Sequence, residues 1–139
     1  MTMKEPFVDT DVLIRFLTQD DPEKQAAAAA LLEKVQTGQL KVMAPDTVIA
    51  DAVYVLTSPR LYHLPRSQVR DLLAPLVRLP GFLIQNKSAI LRALDLYADT
   101  SLDFGDALVV ASMERTGSVV VYSYDTHFDQ IAGIARIEP

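Results

Sequence analysis

The chain has 139 residues, half of them hydrophobic and 7% aromatic, which bounds it at one α/β domain spanning 1–139 with room for a real core. It has no cysteine, so disulfides, zinc–thiolate centres and cysteine nucleophiles are excluded. The net charge of −5 is unevenly spread: from Thr57 to Arg92 six cations (Arg60, Arg66, Arg70, Arg78, Lys87 and Arg92) stand against Asp71 alone, and the rest of the chain is strongly acidic.

The opening residues MTMKEPFVDT lack the apolar stretch of a signal peptide. No apolar run approaches the length of a membrane span, so the expected location is cytoplasmic, away from any membrane. Phe7-Val8 is a short apolar strand ending at Asp9. Val12, Leu13, Phe16 and Leu17 then recur at helical spacing over Thr10–Leu17. Asp20-Asp21-Pro22 supplies a cap and a first-turn proline for a second helix, EKQAAAAALLEKVQ, which Gly38 ends. Its alanines, Ala26 to Ala30, make a smooth surface that another helix can approach, and plain helix propensity explains them as well.

Lys41 to Ala44 is a second strand, and Pro45-Asp46-Thr47 starts a helix running from Val48 to Leu56 with Asp51 in its middle. A loop over Ser58–Pro65 leads into the helix RSQVRDLLAPLVRL, kinked at its proline, and Pro80-Gly81 is a turn. Phe82-Leu83-Ile84 is a third strand, and SAILRALDLYAD a helix. Asp103 caps a further helix that carries Asp106 and stops at Gly117. Ser118 to Tyr122 is a fourth strand of β-branched residues, Asp125–Phe128 a turn, and Ala135-Arg136-Ile137 an edge strand. Strands alternating with helices predict a mostly parallel central sheet of four to five strands flanked by helices, with the working site at the carboxyl ends of the strands.

Asp9, Asp51, Asp106 and Asp125 all fall where a strand or apolar run gives way to a turn or helix. Carboxylates brought together repel unless a cation sits between them, and a hard divalent ion with oxygen ligands is the usual partner, most often for phosphate chemistry. Each acid also has a structural explanation. Asp9 can cap a helix, as can its neighbours Thr10 and Asp11, and Asp51 can face solvent on an amphipathic helix. Asp103 caps its helix or touches a water at the site, and Asp125 can make an Asx turn with Ser123 nearby. The sequence DTD at residues 9–11 also opens the aspartyl phosphatase motif, with Asp9 as nucleophile. That chemistry needs a second carboxylate three or four residues from the first at the metal, and Asp106 is followed by Val109 and Val110.

Four segments carry a resemblance: FVDTDVLIRFL, IADAVYVLTSPRLYHLPRSQV, ALDLYADTSLDFGDALVVASMERTG and VVYSYDTHFDQIAGIARIEP. Over nearly its full length the chain resembles PIN domains, and among them the VapC-type ribonuclease toxins of toxin–antitoxin pairs. The resemblance implies a three-layer PIN-like fold, with the family's four acids falling on Asp9, Asp51, Asp106 and Asp125. It implies Mg²⁺ or Mn²⁺ held by Asp9 and Asp106, with Asp51 and Asp125 completing the cluster directly or through water. Thr10, Asp11, Asp103 and Ser123 stand around it. Two positions depart from the family: Asp51 replaces the usual glutamate, one methylene or about 1.5 Å shorter, and Asp11 replaces a common asparagine.

The implied activity is metal-dependent endonucleolytic hydrolysis of RNA, leaving 5′-phosphate and 3′-hydroxyl ends, by a homodimer that a small antitoxin protein neutralises. The alternative is a PIN-like module with a weakened site, kept for binding RNA or protein. An acidic cluster needs cations nearby to receive RNA, and Arg60 and Arg66 are the expected phosphate contacts. His63 and His127 are expected in loop and cap roles.

Overall fold

The structure is a computed structural model that describes residues 4–139. Its contacts group into two compact units divided between Lys87 and Ser88.

The first unit begins with an extended Phe7 that bridges in parallel to Met43, through Val8 N–H to the Met43 carbonyl (2.9 Å) and Met43 N–H to the Pro6 carbonyl (2.8 Å). Helix α1 spans Thr10–Leu17 and α2 spans Pro22–Gln36. Strand β1 (Val42–Ala44) pairs in parallel with β2 (Phe82–Ile84), Val42 opposite Phe82 and Ala44 opposite Ile84. Between them lie α3 (Thr47–Thr57) and α4 (Arg66–Val77), which runs on through Pro75 in its last turn. A proline there deletes only one terminal hydrogen bond, and its ring is exposed. Leu13, Leu32, Val35, Ile49, Leu56, Val69, Leu73 and Phe82 form the core of this unit.

Local chemistry sets the ends of these helices. Asp21 accepts the Lys24 N–H at 3.0 Å and Pro22 occupies the first turn, so α2 starts where Asp21-Pro22 predicts. Gly81 sits against the backbone at the end of α2: a side chain there would lie 2.4 Å from the Leu40 carbonyl oxygen and 2.6 Å from that of Val35. Its N–H donates to the Val35 carbonyl and its own carbonyl accepts from Val42, tying α2 to the β1–β2 pair.

The second unit holds α5 (Lys87–Asp99), whose first residue lies at the division, and α6 (Phe104–Thr116), closed by Gly117 at φ 76°. Strand β3 (Val120–Tyr122) pairs in parallel with β4 (Ala135–Ile137), joined by a short 3₁₀ turn over Thr126–Gln130. Its core is Ile90, Leu94, Tyr97, Leu102, Phe104, Val110 and Phe128, with Tyr97 and Phe104 meeting edge to face at 6.5 Å.

The described residues show two two-stranded parallel sheets, the first extended by the Phe7 bridge, and not the expected single sheet of four to five strands. All four strands are three residues long, too short for a continuous ladder. Val120, Tyr122 and Ile137 are exposed, so β3–β4 is an open ribbon. Among the described residues no helix is long and apolar enough to cross a membrane.

Candidate functional site

In the first unit Asp9 is the N-cap of α1, with its carboxylate accepting the Thr10 N–H at 2.7 Å. The Thr10 hydroxyl donates to the Val48 carbonyl at 3.2 Å, which ties the start of α1 to the first turn of α3. One turn further along α3 stands Asp51, exposed to solvent, so it incurs no burial cost within its apolar stretch. Asp9 and Asp51 line one cleft of about 460 Å³ together with Thr10, Asp11, Arg15, Asp20 and Tyr62. Four carboxylates therefore share a cleft with a single cation, Arg15.

In the second unit Asp103 caps α6 by accepting the Asp106 N–H at 2.8 Å. Asp106 is half-buried in the first helical turn, and its side chain is hydrogen-bonded to that of Asp125. Burial first, then the charge of Asp103, then Asp125 push the Asp106 carboxyl up to about 6. Asp125 moves the other way: the His127 N–H at 2.8 Å holds its carboxylate below the usual range, assisted by the His127 ring. His127 Nδ1 lies 2.8 Å from the same Asp125 oxygen. Of the two carboxyls, Asp106 therefore takes up a proton at the higher pH.

Ser123 fixes that geometry. Its hydroxyl accepts the Asp125 N–H at 2.9 Å, and its carbonyl accepts from Arg136 at 3.1 Å. Arg136 is itself held by Asp129 and Glu138, so the turn bearing Asp125 is braced from below.

The expected site residues thus fall into two groups, Asp9, Thr10, Asp11 and Asp51 in one unit and Asp103, Asp106, Ser123 and Asp125 in the other. Arg60 and Arg66 do not line the Asp9–Asp51 cleft. Two other members of the basic stretch are engaged elsewhere, Arg70 with Asp71 at 3.1 Å and Arg92 with Glu114 through two bonds of 2.9 and 3.2 Å. The structure adds Arg15, Asp20, Tyr62 and the His127 ring. Arg15 lies four residues after Asp11 on α1, a spacing that places both on one helix face and was readable in the sequence. Asp20 looked like a cap, but Asp21 does that work and Asp20 accepts the Tyr62 hydroxyl.

Among the described residues no group of three or more histidine, aspartate or glutamate side chains is gathered to hold a metal ion. The donors nevertheless fit a hard divalent cation. All are carboxylate oxygens, Mg²⁺ is often held by only one or two of them with water completing its shell, and Asp106 is half-buried beside the carboxylates of Asp103 and Asp125.

Comparison with protein families finds a match to the family described as PIN domain over residues 7–134, which spans both units. No curated protein matches the chain.

Proposed function

The chain belongs to the PIN domain family, and from that premise we propose that it is a divalent-cation-dependent endoribonuclease of the VapC toxin type, acting as one domain over 1–139. PIN domains are generally nucleases. The observation that carries the reading is the Asp106–Asp125 pair, two carboxyls held side by side on separate elements, the first shifted up and the second down.

In this reading Asp9 and Asp106 hold Mg²⁺ or Mn²⁺, and Asp51 and Asp125 complete the acidic set. When bound, the ion supplies charge neutralisation at the phosphate and a lowered pKa for the attacking water. The chain's residues do the rest. Asp106 would offer its carboxylate to the ion, and the His127 N–H keeps Asp125 ionised beside it. Thr10 ties the start of α1 to α3 in the first unit, and Ser123 fixes the turn bearing Asp125 in the second. Arg15 offers a cation to a backbone phosphate within the acidic cleft, with Arg60 and Arg66 as further phosphate contacts. RNA is the substrate, a small antitoxin protein the inhibitor and a homodimer the working assembly, in keeping with the VapC resemblance.

The test is inducible expression of the parent chain and of Asp106→Asn in a bacterial host, with new 5′-phosphate ends mapped across total RNA. Discrete ends with the parent and none with the variant are expected. If folded parent protein yields none, Asp51→Glu restores the longer family side chain. Ends that appear only then favour the weakened-module alternative, and ends from neither protein reject the nuclease.

A further inference from the structure

The chain has five tyrosines, and only Tyr97 is buried in the core. Tyr62 lines the Asp51 cleft, and Tyr54 stands beside Asp51 on α3 without lining it. Tyr54 follows Asp51 by three residues on α3, on the same face, and is 73% exposed. The rest of α3 turns its large residues inward, with Val48, Ile49, Val53 and Leu56 buried, so packing does not account for an aromatic ring at position 54. Tyr62 forms part of the cleft wall. Its hydroxyl donates to Asp20, which anchors the end of the ring. Arg15 lines the same cleft. Tyr122 and Tyr124, also exposed, lie on or beside the open β3–β4 ribbon among Val119, Val120 and Ile137, and take no part here.

An exposed ring beside Asp51 and a half-buried ring sharing a cleft with a cation suit a nucleobase: every base offers a π-face, and stacking needs no particular sequence. We propose that Tyr54 and Tyr62 are base-stacking residues that seat unpaired nucleotides beside Asp51, with Arg15 taking a backbone phosphate. This rests on the nuclease reading above and adds the residues that position the strand. It requires the nucleotides at the cleft to be unstacked from their neighbours, because a paired base has no free face to offer.

The experiment measures binding on the Asp106→Asn background, so that cleavage does not interfere, using a short fluorescently labelled single-stranded RNA of mixed sequence. Tyr54→Ala is expected to weaken binding about tenfold and Tyr54→Phe to leave it within about twofold, since the ring alone stacks. A fully paired duplex of the same sequence is expected to show no dependence on position 54. Replacing nucleotides one at a time by abasic sites locates the contact: at one position the abasic change and Tyr54→Ala are expected not to add. Unchanged affinity in Tyr54→Ala, or an equal loss on every abasic RNA, overturns the proposal. A change in self-association on sedimentation, with RNA affinity intact, overturns it too and assigns the face to protein. Tyr54-dependent binding by a parent chain that cleaves no RNA sinks the nuclease reading and leaves this one standing. Cleavage with no dependence on position 54 does the reverse.

Discussion

Asp106 is the residue whose titration carries the clearest consequence. Its folded pKa of about 6 lies above the ordinary 3.8, so the folded chain binds this proton more tightly than the unfolded chain. Its contribution to stability is therefore present below pH 3.8 and lost as pH rises to about 6. Asp125 is lowered and acts in the opposite sense, but only below the usual carboxylate range. In metal-free buffer Asp106→Asn is accordingly expected to raise Tm by a few degrees at pH 7.5 and to change it little at pH 4.5. An equal shift at both values would show that Asp106 is not strained by charge. The four acids were legible in the sequence because a carboxylate interrupting an apolar run at an element boundary is chemically conspicuous. The Tyr62–Asp20 bond was not, since it joins residues 42 apart with no shared periodicity. The pairing of Asp125 with the His127 ring was half visible: adjacency put them close, but only the backbone of the turn decides that the ring folds back.

At the scale of elements, local rules did most of the work. Asp21, Asp103 and Gly117 end or begin helices where their cap chemistry predicts, and α1 to α6 all fall on stretches read as helices from spacing, propensity or caps. Strand pairing was the part that could not be read. Each strand offers three residues, and the partner of Val42–Ala44 lies across two helices, so nothing local encodes the register. Gly81 is the exception, a sequence-visible turn whose importance only packing reveals. Gly81→Ala would press a methyl group onto two carbonyl oxygens that the backbone itself places. It is expected to cost about 1–3 kcal/mol, seen as a lower denaturant midpoint at unchanged slope. A midpoint equal to the parent's would mean that the α2–β2 junction gives way freely.

Over the whole molecule, charge governs behaviour more than shape does. On the proposed nuclease reading, Mg²⁺ at pH 7.5 should raise the parent's Tm through preferential binding to the folded chain. The rise is expected to shrink in both Asp9→Asn and Asp106→Asn and to persist in Tyr54→Ala. An undiminished rise in Asp9→Asn would separate that residue from the ion. Family membership was legible from the order of four motifs along 139 residues, which survives even where the sheet reading did not. The open β3–β4 ribbon has a further effect, on how the protein behaves in a tube. Val119, Val120, Tyr122 and Ile137 form a greasy strip bearing no charge of its own, so mutual repulsion between molecules depends on the net −5. That repulsion vanishes near pH 4.9, where strips on neighbouring molecules are free to meet. Concentrated stocks should therefore cloud most readily in mildly acidic buffer, and a single lysine placed at position 120 should keep them clear.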